Sequence, residues 1–313
     1  MAVPVASVKV RGDGETEIPS WGHRDMDLGR LAEAKIGGDH HVSVCLPARD
    51  EAETIGAIVT SIREGLVDRW QLVDEVLVVD DGSSDRTAVV AADAGARVVV
   101  AADVLPHFGS AHGKGEALWK SLHAAKGDLL VFCDADVRGF SDRFVVGLLG
   151  PLLLDPAVGF VKGYYRRPVD GADGGGGRVT ELVARPLISL LFPHLRSIVQ
   201  PLAGEFAARR SVLEQVPFVG GYGVDLGLLI DVASKFGLDS LAQADLGSRV
   251  HRNRPLDQLA PQALAVLHGA LRRAGVDLPA GGSVALALPG DVLDVQLSER
   301  PAMIDVAAYR QAR

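Results

Sequence analysis

The chain has 313 residues, 48% of them hydrophobic, and a formal net charge of −8 at pH 7. A chain of this size and apolar content can bury the core of one large domain or two small ones. The negative charge argues against a nucleic-acid surface, which would be basic, and no signal peptide or membrane span is visible. We therefore expect a cytoplasmic globular protein that binds no nucleic acid and has no membrane span.

The first half of the chain alternates between short apolar runs and helical segments. Residues 1–38 are rich in Gly, Pro and charge and are expected to form a partly ordered arm. Across residues 39–165 the apolar runs are VSVCL, DEVLVVD, ARVVVA and DLLVFCD. Continuously apolar runs separated by helices are typical of a parallel sheet covered on both faces. This half is predicted to be an α/β unit with a mainly parallel sheet.

The second half, residues 166–275, is less regular. A strand is predicted at VGFVKGYYRRP, a helix broken near Pro186 at RVTELVARPLISLLF, and a second helix at GVDLGLLIDVASKFG. SLAQADLGSRVHRNRP is predicted to be a strand that leads into a loop, a helix follows at roughly 256–275, and the tail at 276–313 carries little signal. Cys45 and Cys133 lie inside apolar runs, so we expect buried thiols, not a disulfide or a zinc site.

Two carboxylates follow the fourth predicted strand. Asp134 and Asp136 are two residues apart, so they face the same way on an extended segment and would repel each other. A divalent cation such as Mg²⁺ takes oxygen ligands and is often held by one or two carboxylates together with the phosphates of a substrate. The pair is therefore a candidate metal site, although two solvated aspartates in a turn would read the same way.

Cationic groups stand beside glycines at three further places. Lys114 lies in HGKGEALWKS, just ahead of a predicted helix, where backbone N–H groups favour an anion. Arg178 and Thr180 follow a run of four glycines, and LGSRVHRNRPL places several basic groups within six residues. The alternatives are a flexible linker and a solvated basic patch. Together with the acidic pair, these groups suit a site for two anionic substrates.

The sequence resembles a known enzyme family over roughly residues 30–275. LPARDEAETI, VVDDGSSDRT, GKGEALWKSL and FCDAD are similar to the nucleotide-sugar domain of GT-A glycosyltransferases. GGGGRVTELVARPL, QPLAGEFAARR, PFVGGYGVDLGLLID and LGSRVHRNRPLDQL resemble the retaining glucosyl-3-phosphoglycerate synthases and their mannosyl-transferring relatives. The resemblance implies a GT-A fold, an acceptor-binding second half and a homodimer.

The implied reaction transfers glucose from UDP-glucose to the 2-hydroxyl of 3-phosphoglycerate, with retention and with Mg²⁺ or Mn²⁺. By motif position, the residues assigned to the nucleotide and its diphosphate are Pro47, Ala48, Glu51, Asp81, Lys114, Asp134 and Arg249. Those assigned to phosphoglycerate are Gly177, Arg178, Thr180 and Asn253. The implied metal ligands are Asp136 and His251, and the residues nearest the chemistry are Asp136, Asp225 and Arg249.

The leaving nucleoside diphosphate gains negative charge, which the metal, Arg249 and Lys114 would stabilise. We favour attack from the same face, with the departing phosphate taking the acceptor's proton; Asp225 is the candidate nucleophile for the rival covalent route. Asp81 and Asp225 stand where a family member has serine and glutamate, so the donor stays open. The alternatives are transfer from GDP-mannose, an inverting transferase acting on a polyprenyl phosphate, and a nucleotide-sugar-binding regulator without catalysis.

Overall fold

The computed structural model describes residues 17–109, 112–169, 172–174, 177–249 and 256–311. The strands are β1 Ser20–Gly22, β2 Val42–Ala48, β3 Glu75–Asp80, β4 Arg97–Val100, β5 Leu129–Phe132, β6 Phe160–Val169, β7 Ala172–Gly174, β8 Phe206–Arg209, β9 Phe218–Val219, β10 Leu241–Ser248, β11 Gly282–Leu288, β12 Asp291–Leu297 and β13 Glu299–Arg300. The α-helices are α1 Leu28–Gly37, α2 Ile55–Ile62, α3 Thr87–Asp93, α4 Lys114–Ala124, α5 Arg143–Leu154, α6 Arg185–Leu191, α7 Arg210–Leu213, α8 Val224–Phe236, α9 Leu256–Arg273 and α10 Ala307–Gln311. π-Helical turns extend α2 at Arg63–Arg69 and precede α6 at Thr180–Ala184.

One sheet runs through the molecule, in the order β1-β10-β6-β8-β5-β2-β3-β4, with β7 paired to β6. The four strands predicted in the first half run parallel to one another, in the spatial order β5, β2, β3, β4. Every residue of β3 and β5 is buried because helices cover both faces. The predicted α/β fold with a mainly parallel sheet is confirmed.

The strands of the second half bring distant segments to one edge of the sheet. β8 runs antiparallel to both β5 and β6, and its first residue, Phe206, pairs with Phe132 at the end of β5 and with Lys162 on β6. β10 runs parallel to β6 and ends at Ser248, opposite Arg166. The residues just before β8 and just after β5 and β10 therefore meet at the same edge, where ligands bind in open α/β sheets.

Two apolar layers cover the sheet. On one face, three stacked aromatic rings, those of Phe132, Phe160 and Phe206, pack beneath α4 and α8. On the other face α2 and α5 bury their apolar sides against β2, β3 and β5. Cys45 and Cys133 are both buried thiols, as expected. Among the described residues, no helix combines the length and hydropathy needed to cross a membrane.

Both ends of the chain contribute structure to this body. The described part of the N-terminal arm forms β1, which pairs with β10, and α1, which packs against α5. The C-terminal segment, where the sequence carries little signal, forms the exposed hairpin of β11 and β12 and then β13, which pairs with β9. The tail is thus tied to the strand that leads into α8.

The start of α4 depends on two glycines. Gly113 precedes the helix with φ of 110°, a conformation that favours glycine. A Cβ on Gly115, two residues later, would overlap with the backbone carbonyl of Val219 on β9. Glycine therefore allows α4 to lie directly on β9, and this contact sets the position of Lys114 at the helix start.

We predict that Gly115→Ala lowers the free energy of unfolding by about 2 kcal/mol, because the added methyl must push α4 away from a rigid backbone oxygen. Gly37→Ala is the control, since a Cβ there meets no atom within 4 Å; it should change stability by less than about 1 kcal/mol. Urea unfolding followed by circular dichroism measures both, and equal stability of the two variants would contradict the close contact of α4 with β9.

Candidate active site at the carboxyl edge of the sheet

Asp134 and Asp136 lie beside the same arginine at the edge of the sheet. The buried strand β5 ends at Phe132, and Asp134 and Asp136 follow in the next turn. Both contact the guanidinium of Arg249, which lies immediately after β10: Nη1 is 3.2 Å from Oδ2 of Asp134, and Nη2 is 2.7 Å from Oδ1 of Asp136. A cationic group thus separates the two charges that would otherwise repel.

Arg249 is the buried centre of this cluster. Only 1% of its side-chain surface is exposed. Its Nη1 also donates to the carboxylate of Glu205 and to the hydroxyl of Tyr165 at 3.1 Å, and its guanidinium lies 5.3 Å from the centre of the Tyr165 ring. A buried cation is tolerated when such partners replace water, so Arg249 and its carboxylates depend on each other.

Lysines continue the cluster on the other side of Asp134. The ammonium of Lys114 is 3.1 Å from Oδ1 of Asp134 and 3.2 Å from Oδ2 of Asp225. Lys162, from β6, lies 3.5 Å from Oδ1 of Asp225. Positive and negative side chains therefore alternate through the site, in the order Lys162, Asp225, Lys114, Asp134, Arg249, Glu205.

The pKa shifts of this array follow from burial and from the neighbouring charges. Burial raises the pKa of Asp134, but the positive charges of Lys114 and Arg249 lower it by a larger amount. The net pKa therefore falls well below its ordinary value. Burial lowers the pKa of Lys114, and Asp134 and Asp225 more than reverse this, so its net pKa rises. Asp134 and Lys114 are consequently charged at neutral pH.

The two ends of the array behave differently. Burial raises the pKa of Glu205, and Arg249 offsets only part of the rise. Burial lowers the pKa of Lys162, against the opposing effect of Asp225. Both side chains are fully enclosed. Lys114 and Asp134, between these ends, keep 14% and 26% of their side chains exposed, so solvent reaches the array there and not at its ends.

Asp81 connects the end of β3 to the start of α4. Its backbone N–H donates to the carbonyl of Ala48 at 2.9 Å, and its carboxylate accepts a hydrogen bond from Gly113 N–H at 2.8 Å and contacts His112 at 3.1 Å. Pro47 and Ala48 end the neighbouring strand β2. The residues assigned from the family to the nucleotide therefore line the edge beside Lys114.

The loop after β2 is tied to the loop after β3. Asp50 adopts a positive φ of 55° and its Oδ1 accepts from the backbone N–H of Ser84 at 2.7 Å. The backbone N–H of Glu51 donates to Thr87 Oγ1 at 2.7 Å. The N-terminal ends of α2 and α3 are held together in this way.

The residues assigned to the acceptor are described in part. Thr180 is buried at the start of the π-helical turn, and Arg178 is exposed directly before it. The carbonyl of Gly177 accepts from Glu181 N–H at 3.0 Å and so begins the turn. This turn packs against α9, the helix that follows His251 and Asn253 in the sequence. Those two residues lie outside the described residues.

The donor set fits a hard divalent cation. Asp134 and Asp136 offer carboxylate oxygens at the sheet edge, and Asp136 keeps 38% of its side chain exposed. A Cβ on Gly204 would overlap with the Asp134 carboxylate, so glycine there leaves room for it. Within the described part of the chain no three His, Cys, Asp or Glu side chains form a metal cluster; two carboxylates would leave further positions to His251 and to the phosphates of a substrate.

Sequence reasoning missed three residues of this site: Glu205, Lys162 and Tyr165. A signal for Glu205 exists, since it is a lone charge directly before the apolar run FAA inside QPLAGEFAARR. Lys162 similarly interrupts the apolar run GFV of its strand. A charged residue within a strand that is expected to be buried indicates a partner of opposite charge, but the local sequence does not show which residue is that partner.

The sequence is similar to those of known glycosyltransferases. The pattern that defines the family described as glycosyl transferase family 2 matches residues 43–216. The glucosyl-3-phosphoglycerate synthase of Mycolicibacterium smegmatis is 46% identical over 293 residues, which are 91% of this chain and 95% of that protein.

Solved structures extend the likeness to the whole fold. The mannosyl-3-phosphoglycerate synthase of Rubrobacter xylanophilus is 40% identical, with a TM-score of 0.83 over 92% of this chain and 97% of that one. The glucosyl-3-phosphoglycerate synthase of Mycobacterium tuberculosis, in complex with Mn²⁺, UDP-glucose and phosphoglyceric acid, is 44% identical, with a TM-score of 0.80 over 89% of this chain and 94% of that one. The chain therefore belongs to glycosyl transferase family 2 and, within it, to the glucosyl-3-phosphoglycerate synthases, and is a glycosyltransferase.

Proposed function

We propose that this enzyme transfers glucose from UDP-glucose to the 2-hydroxyl of 3-phosphoglycerate, with retention at the anomeric carbon and with bound Mg²⁺ or Mn²⁺. The observation that carries the proposal is the buried Arg249, which holds Asp134 and Asp136 at the sheet edge in a chain 44% identical to an enzyme bound to UDP-glucose, Mn²⁺ and phosphoglyceric acid. Residues 39–165 would bind the donor and residues 166–275 the acceptor.

The chemistry needs positive charge where the leaving diphosphate becomes negative. A divalent cation on Asp136, with His251 as its proposed second protein ligand, would act as a Lewis acid toward the diphosphate. Arg249 and Lys114 are held in place before the donor arrives, each by two or more carboxylates. Charges that need no rearrangement during the reaction lower the barrier most effectively.

The surroundings of Asp225 support attack from the same face of the sugar. Its Oδ2 is 3.2 Å from Lys114 and its Oδ1 is 3.5 Å from Lys162. Among the described residues Oδ1 accepts no hydrogen bond, but both lysines lie within ion-pair distance of the carboxylate. Two neighbouring positive charges stabilise the carboxylate and weaken it as a nucleophile, which disfavours a covalent intermediate at Asp225. In the proposed route the departing phosphate accepts the proton of the 2-hydroxyl, and Asp225 serves to hold Lys114 and the sugar.

A second donor has a specific observation in its favour. The mannosyl-3-phosphoglycerate synthase of R. xylanophilus matches the fold over 97% of its length, so transfer of mannose from GDP-mannose is the alternative. A homodimer in the cytoplasm completes the proposal, on the strength of the family resemblance.

The first prediction concerns the reaction itself. With purified enzyme and a panel of UDP-glucose, GDP-glucose and GDP-mannose, we expect nucleoside diphosphate release from UDP-glucose, and only when both 3-phosphoglycerate and Mg²⁺ are present. Omitting each component in turn is the control, and a polyprenyl phosphate replaces the acceptor in a parallel series. Release without 3-phosphoglycerate, or faster release from GDP-mannose, would contradict the assigned acceptor or donor respectively.

The second prediction concerns acceptor binding by Arg178. Since a planar guanidinium binds a carboxylate or phosphate through two hydrogen bonds, Arg178→Ala should raise the KM for 3-phosphoglycerate at least about tenfold and leave the KM for UDP-glucose nearly unchanged. Arg185→Ala is the matched control, because Arg185 is a partly exposed arginine of the same segment whose guanidinium pairs with Glu181 in the turn before α6. Equal effects of Arg178→Ala on both substrates would remove it from the acceptor site.

The third prediction concerns Arg249 and pH. Arg249→Met should lower kcat/KM for UDP-glucose by about 100-fold. It leaves Asp134, Asp136 and Glu205 facing one another, so it should also lower the free energy of unfolding by about 3 kcal/mol at pH 7.5. The pKa of Asp134 is depressed in the folded enzyme, so its contribution to stability is present above its ordinary value of 3.8 and is lost as the pH falls below it.

The stability loss of Arg249→Met should shrink as the pH is lowered toward about 4, because the crowded carboxylates of the variant take up protons more readily than those of the unfolded chain and then no longer repel one another. Urea unfolding at pH 7.5 and pH 4.5 measures this. Arg209→Met is the control, because Arg209 donates to the backbone carbonyls of Leu152 and Val158, and its loss should depend much less on pH. A loss for Arg249→Met that grows at pH 4.5 would contradict the charge array.

A further inference from the structure

The C-terminal strand β13 lies against the elements that carry two active-site residues. Arg300 pairs with Phe218 and Glu299 with Val219 on β9, and the N–H of Gly220 donates to the carbonyl of Ser298 at 2.7 Å. β9 in turn touches the first turn of α4 at Gly115 and leads into α8. The tail therefore lies behind both Lys114 and Asp225.

Arg300 makes the strongest contact between this tail and α4. Its Nε and Nη2 donate to the two oxygens of Glu116 at 2.5 and 2.9 Å, and its Nη1 donates to the carbonyl of Phe108 at 2.7 Å. The guanidinium also lies over the Trp119 ring at 5.5 Å, and Trp119 Nε1 donates to the carbonyl of Pro301 at 2.9 Å. Three sides of the guanidinium are thus engaged with α4 and the segment before it.

Glu116 is buried in the first turn of α4, two residues after Lys114. It also pairs with the fully buried Lys120 at 3.2 Å. A doubly paired carboxylate at this depth has one favourable position, since any shift would leave charges unpaired in a medium of low polarity. Its position thus defines where the helix begins.

Lys114 depends on that starting point. Its ammonium bridges Asp134 and Asp225 at 3.1 and 3.2 Å, and a shift of the helix start by about 1 Å away from these carboxylates would stretch both contacts to the limit of an ion pair. We propose that Arg300 is a positioning residue: by holding Glu116 it fixes the first turn of α4, and through it the Lys114 ammonium that binds the donor diphosphate. This rests on the proposed role of Lys114 in donor binding.

The chain offers a matched control in Arg273. Arg273 is similarly buried and also binds a carboxylate through Nε and Nη2, that of Asp231 at 2.8 and 2.5 Å, and it reaches Glu299 of the same tail strand at 2.7 Å. Asp231 lies in the middle of α8, and the described contacts of Arg273 do not include α4. Its replacement should weaken the fold as much as that of Arg300 without moving Lys114.

The experiment measures the binding of UDP in the presence of MgCl₂ by titration calorimetry. Arg300→Met should raise the Kd about tenfold, within the range of coupling found inside one ion-pair network, with the KM for 3-phosphoglycerate unchanged. Arg273→Met should leave the Kd within about twofold, since coupling is small between side chains that share no partner. In a Lys114→Met background, Arg300→Met should have no further effect, because a residue acting through Lys114 has nothing left to position.

Arg300→Lys keeps the charge but loses the bidentate contact with Glu116, so its Kd for UDP should lie between those of the wild type and Arg300→Met. This variant also tests the inference if Arg300→Met fails to fold. Equal Kd values for Arg300→Lys and the wild type, equal losses in the Arg300 and Arg273 variants, or an undiminished effect in the Lys114→Met background would overturn the inference. A wild-type enzyme that does not bind UDP with Mg²⁺ would instead overturn the proposed function.

Discussion

The site depends on one buried guanidinium. Arg249 separates Asp134 from Asp136 and pairs with Glu205 in a position closed to solvent. Arg249 and its three carboxylates depend on one another. A buried arginine without carboxylates would be strongly unfavourable, and so would three neighbouring carboxylates without an arginine. Since its partners follow β5 and precede β8, Arg249 finds them only when the sheet is complete. Folding and the assembly of the site are therefore the same event.

The alternation of charge extends this dependence outward. Lys114 forms ion pairs with both Asp134 and Asp225, and Lys162 forms a second ion pair with Asp225. The ion pair between Glu116 and Arg300 connects the first turn of α4 to the C-terminal strand β13 in a similar way. Groups held by several partners move little when a substrate arrives, and a charged substrate gains most from groups that are already oriented. The ion pairs thus serve preorganisation more than stability, which buried ion pairs contribute to only weakly.

Particular elements show how far the sequence could be interpreted. The four parallel strands could be predicted, because strands buried on both faces consist of continuous apolar runs. The acidic pair could be singled out as a candidate site, because two carboxylates so close together repel each other unless a cation or hydrogen-bond donors lie between them. Glu205 and Lys162 could not be assigned to the site, although each charge lies beside an apolar run. Their partners, Arg249 and Asp225, lie 44 and 63 residues away, and the local sequence does not identify them. The tail strand was missed because two residues carry no periodicity.

The sequence by itself determined the α/β class, the placement of Asp134 and Asp136 at a strand end, and the family resemblance, because apolar periodicity and motif order are local properties of the chain. The tertiary structure decided which charges meet. The antiparallel insertion of β8 between β5 and β6 sets Glu205 beside Arg249, and the pairing of β13 with β9 sets Arg300 behind α4. Strand order and register depend on contacts between distant segments, and the pattern within any one segment does not specify them.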